Sequence, residues 1–173
     1  MTHIAAAAAT VSWVATEWTH HGKPTILGAA SGCVAGLVAI TPAAGFVSPI
    51  PAVIIGLAAG VICYLAVSVL KAKLGYDDAL DAFGVHGIGG TWGALATGLF
   101  ASKAVNPAGA DGLFYGDPSQ FVTQLTGVGV SWAFAAIATF IILKVLMTFM
   151  QVRADEEQEV QGLDITEHGE RGY

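Results

Sequence analysis

The sequence predicts an all-α fold, a polytopic bundle of transmembrane helices, and three observations carry that reading. Of 173 residues, 54% are hydrophobic and only 12% charged, with a mean hydropathy of +0.65; an average soluble domain carries about twice that charge. The apolar residues fall into five long blocks rather than amphipathic stripes, which argues against a single soluble core. Glycine is abundant, 22 residues with no Gly-X-Y period, and small residues allow helices to approach closely in lipid.

The blocks cover residues 4–18, 25–46, 51–70, 82–100 and 121–152. A helix needs about 20 residues to cross the hydrocarbon layer, and the second, third and fourth blocks meet that length. The first is shorter and starts almost at Met1, so it reads as a helix whose beginning is missing. The fifth, at roughly 48 Å, is expected to tilt or to project beyond the bilayer. Polar connectors lie at residues 19–24, 71–81 and 101–120. Lys23, Lys71, Lys73 and Arg153 fall on one side of this layout and Lys103 on the other. The positive-inside rule then puts the C-terminus in the cytoplasm of a multi-pass cell-membrane protein. Lys144, near the inner end of the last block, can snorkel to the interface. Residues 1–152 are therefore expected to form the transmembrane region and residues 153–173 a cytoplasmic tail.

Small residues recur at helix-packing intervals: Gly28, Gly32 and Gly36 in the second block, Gly56 and Gly60 in the third, Gly89 and Gly93 in the fourth. On the second block Leu27, Val34, Val38 and Thr41 form a bulkier stripe opposite the glycines. Cys33 and Cys63 sit in separate apolar blocks and read as inert buried thiols. The net charge of −6 comes mostly from the tail, and with no basic patch nucleic acid is excluded as a partner. No Lys or Arg precedes the first apolar stretch, so it does not resemble a signal peptide.

The residue with most chemical potential is His86. At α-helical spacing its neighbours are Ala79, Ala82, Phe83, Gly89, Gly90 and Gly93, all small but Phe83, while Val85, Ile88, Trp92, Leu95 and Leu99 form the opposite face. Ionisable residues within membrane spans usually face the protein interior and mark function; the alternative is a neutral His bonded to a neighbouring helix carbonyl. A neutral imidazole offers one donor and one acceptor, suited to passing a proton or binding a small polar solute. One His makes no metal site, and no HExxH or GxSxG pattern occurs. No enzyme, cofactor or metal is expected. Asp77, Asp78 and Asp81 precede the fourth block, where capping of free amides is favoured over attraction of ions. Glu17 and Trp18 suit an interfacial helix end, and His3, His20 and His21 read as solvated. The tail, with its acidic run at residues 155–159, reads as solvated and without fixed structure.

Three stretches look familiar. Asp81-Ala-Phe-Gly-Val-His-Gly87 resembles the D-x-F-G-V-H-G signature of the ammonium transporter (Amt/MEP/Rh) family. Residues 22–45 are similar to that family's GKP…GAxSGxxAGLVxxTPAxG stretch, and residues 156–170 to its EEQE…GLD…HGE ending. The resemblance runs through nearly the whole chain. It implies the second half of the eleven-helix ammonium transporter fold, with helices seven to eleven and a cytoplasmic tail. It also implies a trimer, each subunit enclosing an apolar pore that passes ammonia after ammonium gives up its proton. His86 matches the second of two pore histidines, Val34 and Ala82 match lining positions, and Asp81 and Thr41 match structural positions near the pore. The segment holding Gly162, Asp164, Thr166 and Gly169 matches a regulatory tail that engages PII-type signalling proteins; Thr166 falls where plant relatives carry a phosphorylatable threonine. Helices one to six of the family, with the first pore histidine, the outer aromatic site and the stacked Phe gate, have no counterpart here. The chain alone is thus expected not to conduct. It reads as part of a transporter or, alternatively, as a non-conducting subunit that assembles with a full-length relative.

Overall fold

The structure, a computed structural model, describes residues 1–172, and they contain helices and turns but no strand. It comprises two compact units, Met1–Gly129 and Val130–Tyr173.

In the first unit the long helix α1 (Thr2–His21) packs against both α2 (Ile26–Ile40) and α3 (Pro49–Leu65). The contact surface is made of alanine and glycine. Ala5, Ala39, Ala52, Ala59 and Ala96 are fully buried, with Ile40, Val47 and Ile55 the bulky members of the same cluster. Gly32 faces Trp13, where an added Cβ would lie 2.6 Å from the Trp13 Cβ. Gly56 lies against the Ala5 backbone so closely that no side chain fits between the two helices. The glycine stripes read from the sequence are thus the packing faces, and Leu27 and Val34 on the opposite stripe are exposed.

A hydrogen-bonded corner joins α1 to α2. The Glu17 carboxylate accepts from the Thr25 backbone N–H (3.2 Å) and from the Thr25 hydroxyl (2.8 Å). Thr25 is itself the N-cap of α2, its hydroxyl accepting from Gly28 N–H at 2.9 Å. Glu17 is therefore a buried structural group rather than the interfacial residue that its position suggests. His20 and His21 belong to the last turn of α1 rather than to a connector, and the His20 Nδ1 lies 2.7 Å from the Tyr64 hydroxyl.

Several boundaries differ from the apolar blocks, for identifiable reasons. Pro42 has no N–H to continue the ladder, so α2 stops at Ile40 and residues 41–46 form tighter turns, Thr41 N–H bonding back to the Val38 carbonyl. The third block runs on through a π-helical segment, Ala66–Leu70, into the last turn α4 (Lys71–Leu74), so both lysines are helical. The fourth begins with a second π-helical segment, Phe83–Ile88, continuing as α5 (Gly89–Phe100). The last block is α6 (Pro118–Leu146), which ends before residue 152. Two helices, Pro49–Leu74 and Pro118–Leu146, are long and apolar enough to cross a membrane.

In the second unit the tail is structured, against expectation. Asp155 and Gln158 form a reciprocal capping box at the start of α7 (Glu156–Gln161), so the acidic run sits where a helix N-terminus favours negative charge. Gly162, at φ +99°, turns the chain into α8 (Leu163–Thr166).

The α1–α2 corner predicts a specific asymmetry. Thr25→Val keeps the shape but leaves the Glu17 carboxylate buried without its hydroxyl partner, lowering stability by about 2 kcal/mol. Glu17→Gln, which still offers an oxygen to both donors, lowers it by less; detergent-denaturation midpoints of the two variants check the order.

Candidate functional site

Which way His86 points is decided by the turn on which it sits. Asp78 caps the start of that turn: one carboxylate oxygen accepts from Ala82 N–H at 2.8 Å and the other from Phe83 N–H at 2.9 Å. Asp81 lies in the left-handed region at φ +56°, a conformation that Asp tolerates better than bulkier residues. Its carboxylate is 2.7 Å from the Lys71 ammonium, which also donates to the Asp78 carbonyl. These contacts tie the loop to the end of the third helix, and the π segment begins from that anchor.

Within the segment, Val85 is buried in a cluster with Trp13, Ala35, Cys63 and Tyr64. The Cys63 thiol lies 3.9 Å from the Val85 carbonyl. Beyond the segment, Gly89 and Gly93 are buried, Gly93 directly against the Ala39 backbone and Gly89 beside Cys63. His86, one residue after Val85, emerges on the outside and is exposed. Its ring has no hydrogen-bond partner among the described residues, so no helix carbonyl occupies it. The face assigned at α-helical spacing is corrected accordingly: Gly89 and Gly93 pack inward while His86 does not, because the wide π turn rotates the residues before Gly89 relative to those after it.

Ala82, at the start of the turn, is exposed, and so is Val34 on the outer stripe of α2. Gly90 lies 3.9 Å, measured from its Cβ position, from the Val38 side chain one turn along α2. Thr41, at the far end of α2, is exposed and bonds its own helix, Oγ1 to the Leu37 carbonyl at 2.7 Å. The structure thus groups Asp81, Ala82 and His86 on one anchored turn, and places Val34 and Thr41 along the helix that packs beside it.

Two features were missed by sequence reasoning. The Trp13–Tyr64–His20 cluster holds Trp13 and Tyr64 edge to face at 5.6 Å; a Tyr in an apolar run, which needs a partner for its hydroxyl, was the available signal. A cleft of about 420 Å3 opens where Pro42 and Phe46 meet Thr97, Gly109, Gln120 and Gln124. The two Gln residues stand one turn apart on α6, a spacing visible in the sequence.

In the second unit the expected regulatory residues form one hairpin. The Thr166 hydroxyl donates to the Gly162 carbonyl at 3.1 Å, and Gly169, at φ +67°, bonds back to the Ile165 carbonyl. The Asp164 carboxylate accepts from Gly172 N–H at 2.9 Å. That bond, with the adjacent amides, holds the Asp164 carboxyl below its ordinary range.

The sequence pattern of the Ammonium Transporter Family matches residues 1–173. An ammonium transporter of Bacillus subtilis (strain 168) is 56% identical over 172 residues, covering 99% of this chain and 43% of that protein. The crystal structure of Saccharomyces cerevisiae Mep2 superposes with a TM-score of 0.80 at 39% identity, over 86% of this chain and 36% of that one. A structure described as a Sensor Amt Protein gives 0.80 at 30% identity, over 96% and 40%. The chain spans well under half the length of the relatives it matches.

The anchors make two predictions. Asp78→Ala frees two amides at the head of the π segment; amide exchange at Ala82 and Phe83 should accelerate about fivefold or more, as loss of a cap worth ~1 kcal/mol implies. Because the folded value of Asp164 is depressed, its contribution to the hairpin is fully present above the ordinary carboxylate pKa of about 3.9 and fades as pH falls through the depressed value. Gly172 amide protection should follow that course, and Asp164→Asn should flatten it.

Proposed function

This chain belongs to the ammonium transporter family, and from that membership we propose that it supplies one wall of a membrane conduction path for ammonium nitrogen. In this reading His86 meets the solute as ammonia or relays its proton, with Val34 and Ala82 lining the path. Asp81 and Thr41 hold the surrounding backbone.

The observation that carries the proposal is the exposed, unpartnered imidazole of His86 on a turn otherwise fixed by buried packing and by the Asp78 and Lys71–Asp81 contacts. A polar ring directed at acyl chains is costly, so the surface that bears it is built to face something other than lipid. An apolar passage with a single imidazole excludes cations through desolvation, whereas neutral ammonia needs only hydrogen bonds. A neutral imidazole supplies both a donor and an acceptor.

The wall needs a complement. One helical layer leaves its polar groups open on one side, and the chain covers 43% of its Bacillus subtilis relative. We therefore read residues 1–173 alone as non-conducting, active as part of a larger assembly, a homotrimer of completed subunits in a cell membrane. Counted along the alternation of apolar blocks and connectors, Lys23, Lys71, Lys73 and Arg153 fall on one side and Lys103 on the other, which favours a cytoplasmic C-terminus. The transmembrane region then covers residues 1–152 and the tail residues 153–173. The hydrogen-bonded hairpin containing Gly162, Asp164, Thr166 and Gly169 favours a second role for the tail, docking of a PII-type signalling protein.

A chimera tests the main proposal. Residues 1–173 replace the matching 43% of the Bacillus subtilis relative, and methylammonium uptake is measured in cells lacking other ammonium transport. Uptake is expected from the chimera and not from residues 1–173 alone. His86→Ala in the chimera should lower it by about a hundredfold, the low end of what a positioned proton-transfer group contributes. Unchanged uptake in that variant, at equal membrane abundance, would refute the role of His86; uptake by the isolated chain would refute the need for a complement.

A further inference from the structure

On the outer side of the His86 turn, Ala82, Phe83 and His86 are exposed and Gly87 is half-buried, while Gly84 and Val85 are buried. Phe83 is the bulky member of that outward group, 39% exposed. Its ring folds back over the turn. A Cβ placed on Gly87 would lie 3.0 Å from the Phe83 Cδ2 and 3.3 Å from its Cε2. The residue that follows His86 is therefore a glycine whose missing side chain leaves room for the ring. Hydrogen bonds to the fifth residue along widen this turn, and Phe83 stands within one turn of His86 on the Asp81 side.

Phe83 is held at both its backbone and its ring. Its N–H donates to the Asp78 carboxylate at 2.9 Å. The ring meets Tyr76 edge to face, centroids 5.5 Å apart and planes at 82°, a geometry that aromatic pairs favour. Tyr76 in turn follows Gly75, whose left-handed backbone (φ +65°) closes the end of the third helix. The Tyr76 hydroxyl is buried and has no hydrogen-bond partner among the described residues. What this side chain contributes is its ring. A phenyl group facing acyl chains needs no such clamp, whereas a ring fixed beside an exposed imidazole forms a wall of defined width.

We propose that Phe83 sets the size of solute that passes His86, and that Tyr76 is the positioning residue that keeps its ring in place. The proposal rests on the transport reading and adds the solute class: ammonia and amines of methyl size pass, ethyl-sized and larger amines do not. Hydrogen bonding at position 86 cannot supply that choice. A neutral primary amine has the same lone pair and N–H groups as ammonia, so one imidazole accepts both. Shape must discriminate, and a fixed apolar wall does so by volume. One methylene more or less against such a wall is worth about tenfold or more in selection between solutes. A mobile ring would yield to the larger solute, which is why the Tyr76 contact matters.

The test compares uptake of radiolabelled methylammonium and ethylammonium by cells expressing the chimera that carries residues 1–173. Phe83→Ala should lower the methylammonium-to-ethylammonium ratio about tenfold, and Tyr76→Ala should lower it through the released ring. Phe83→Tyr and Tyr76→Phe should keep it. An unchanged ratio in Phe83→Ala, whether or not total uptake falls, overturns the proposal. Failure of the transport reading shows separately, as unchanged uptake in His86→Ala. A second measurement needs no transport. In the full chain purified in detergent, nuclear Overhauser contacts between the Phe83 ring and the Gly87 Hα should weaken in Tyr76→Ala. Contacts of full strength in that variant overturn the role of Tyr76.

Discussion

Close approach of helix backbones is the constraint on which the first unit depends. In lipid no hydrophobic drive separates helix–helix from helix–lipid contact, so association rests on van der Waals packing and a few hydrogen bonds. That packing is effective only if backbones meet. Gly32 meets Trp13 and the Ala9 backbone, Gly56 meets Ala5, and Gly60 meets Ser12 and Ala9. Two helices therefore press on α1 along its alanine face, Ala5, Ala6 and Ala9. The Glu17–Thr25–Gly28 relay adds direction to this contact by fixing where α2 leaves α1. A methyl group on Gly28 would collide with the Glu17 carboxylate, so packing and polar satisfaction compete for the same space and only glycine serves both.

The exposed imidazole follows from the same packing. Gly93 locks α5 against the Ala39 backbone, while Asp78, Asp81 and Lys71 fix the chain just before Phe83. Between two fixed ends the residues Phe83–Ile88 adopt the wider π turn. Val85 then fills the cavity lined by Ala35, Cys63 and Tyr64, and His86 has nowhere to go but outward. Orientation of the His86 ring is set by a buried valine and by glycines one and two turns further on, none of which touches the solute in the proposed mechanism.

Much of this was legible in the sequence, and the exceptions share a cause. Long apolar blocks mark helices because crossing lipid demands internally satisfied backbone, and the stripe Gly28, Gly32, Gly36 identified the buried face of α2 because side-chain direction follows the helical period. The same period misplaced His86. A π turn has the same composition as an α turn, so no count of residues distinguishes them, and grouping His86 with Gly89 and Gly93 carried an α spacing across a segment that lacks it. Thr41-Pro42 marks the end of α2 in the sequence, although the apolar block runs on to residue 46. The place of Glu17 near a block end suggests an interface; its partner Thr25 is eight residues away across a turn, a distance that local pattern does not resolve. The charge of the tail suggests a solvated segment without fixed structure, although Asp155 and Gln158 stand at the three-residue spacing of a capping box.

The handling of polar groups along exposed helices separates two kinds of surface. No residue of α6 is buried, and two of its hydroxyls are satisfied within the helix: Thr123 donates to the Ser119 carbonyl and Thr126 to the Val122 carbonyl. Lys144 rests its ammonium 5.6 Å from the centre of the Phe140 ring on the same helix. Hydroxyls bonded in this way suit acyl chains, because they ask nothing polar of their surroundings. Thr91 on α5 does likewise, bonding the Gly87 carbonyl. His86, on the turn just before it, does not. Its imidazole is exposed and has no hydrogen-bond partner among the described residues, and a hydroxyl's short reach to the preceding turn is not available to a rigid ring. The bundle therefore contains the means to quiet polar side chains and does not apply them at position 86. Leaving that group unsatisfied within the chain is what a site for a hydrogen-bonding solute requires, since any internal partner would compete with the solute for the same nitrogen.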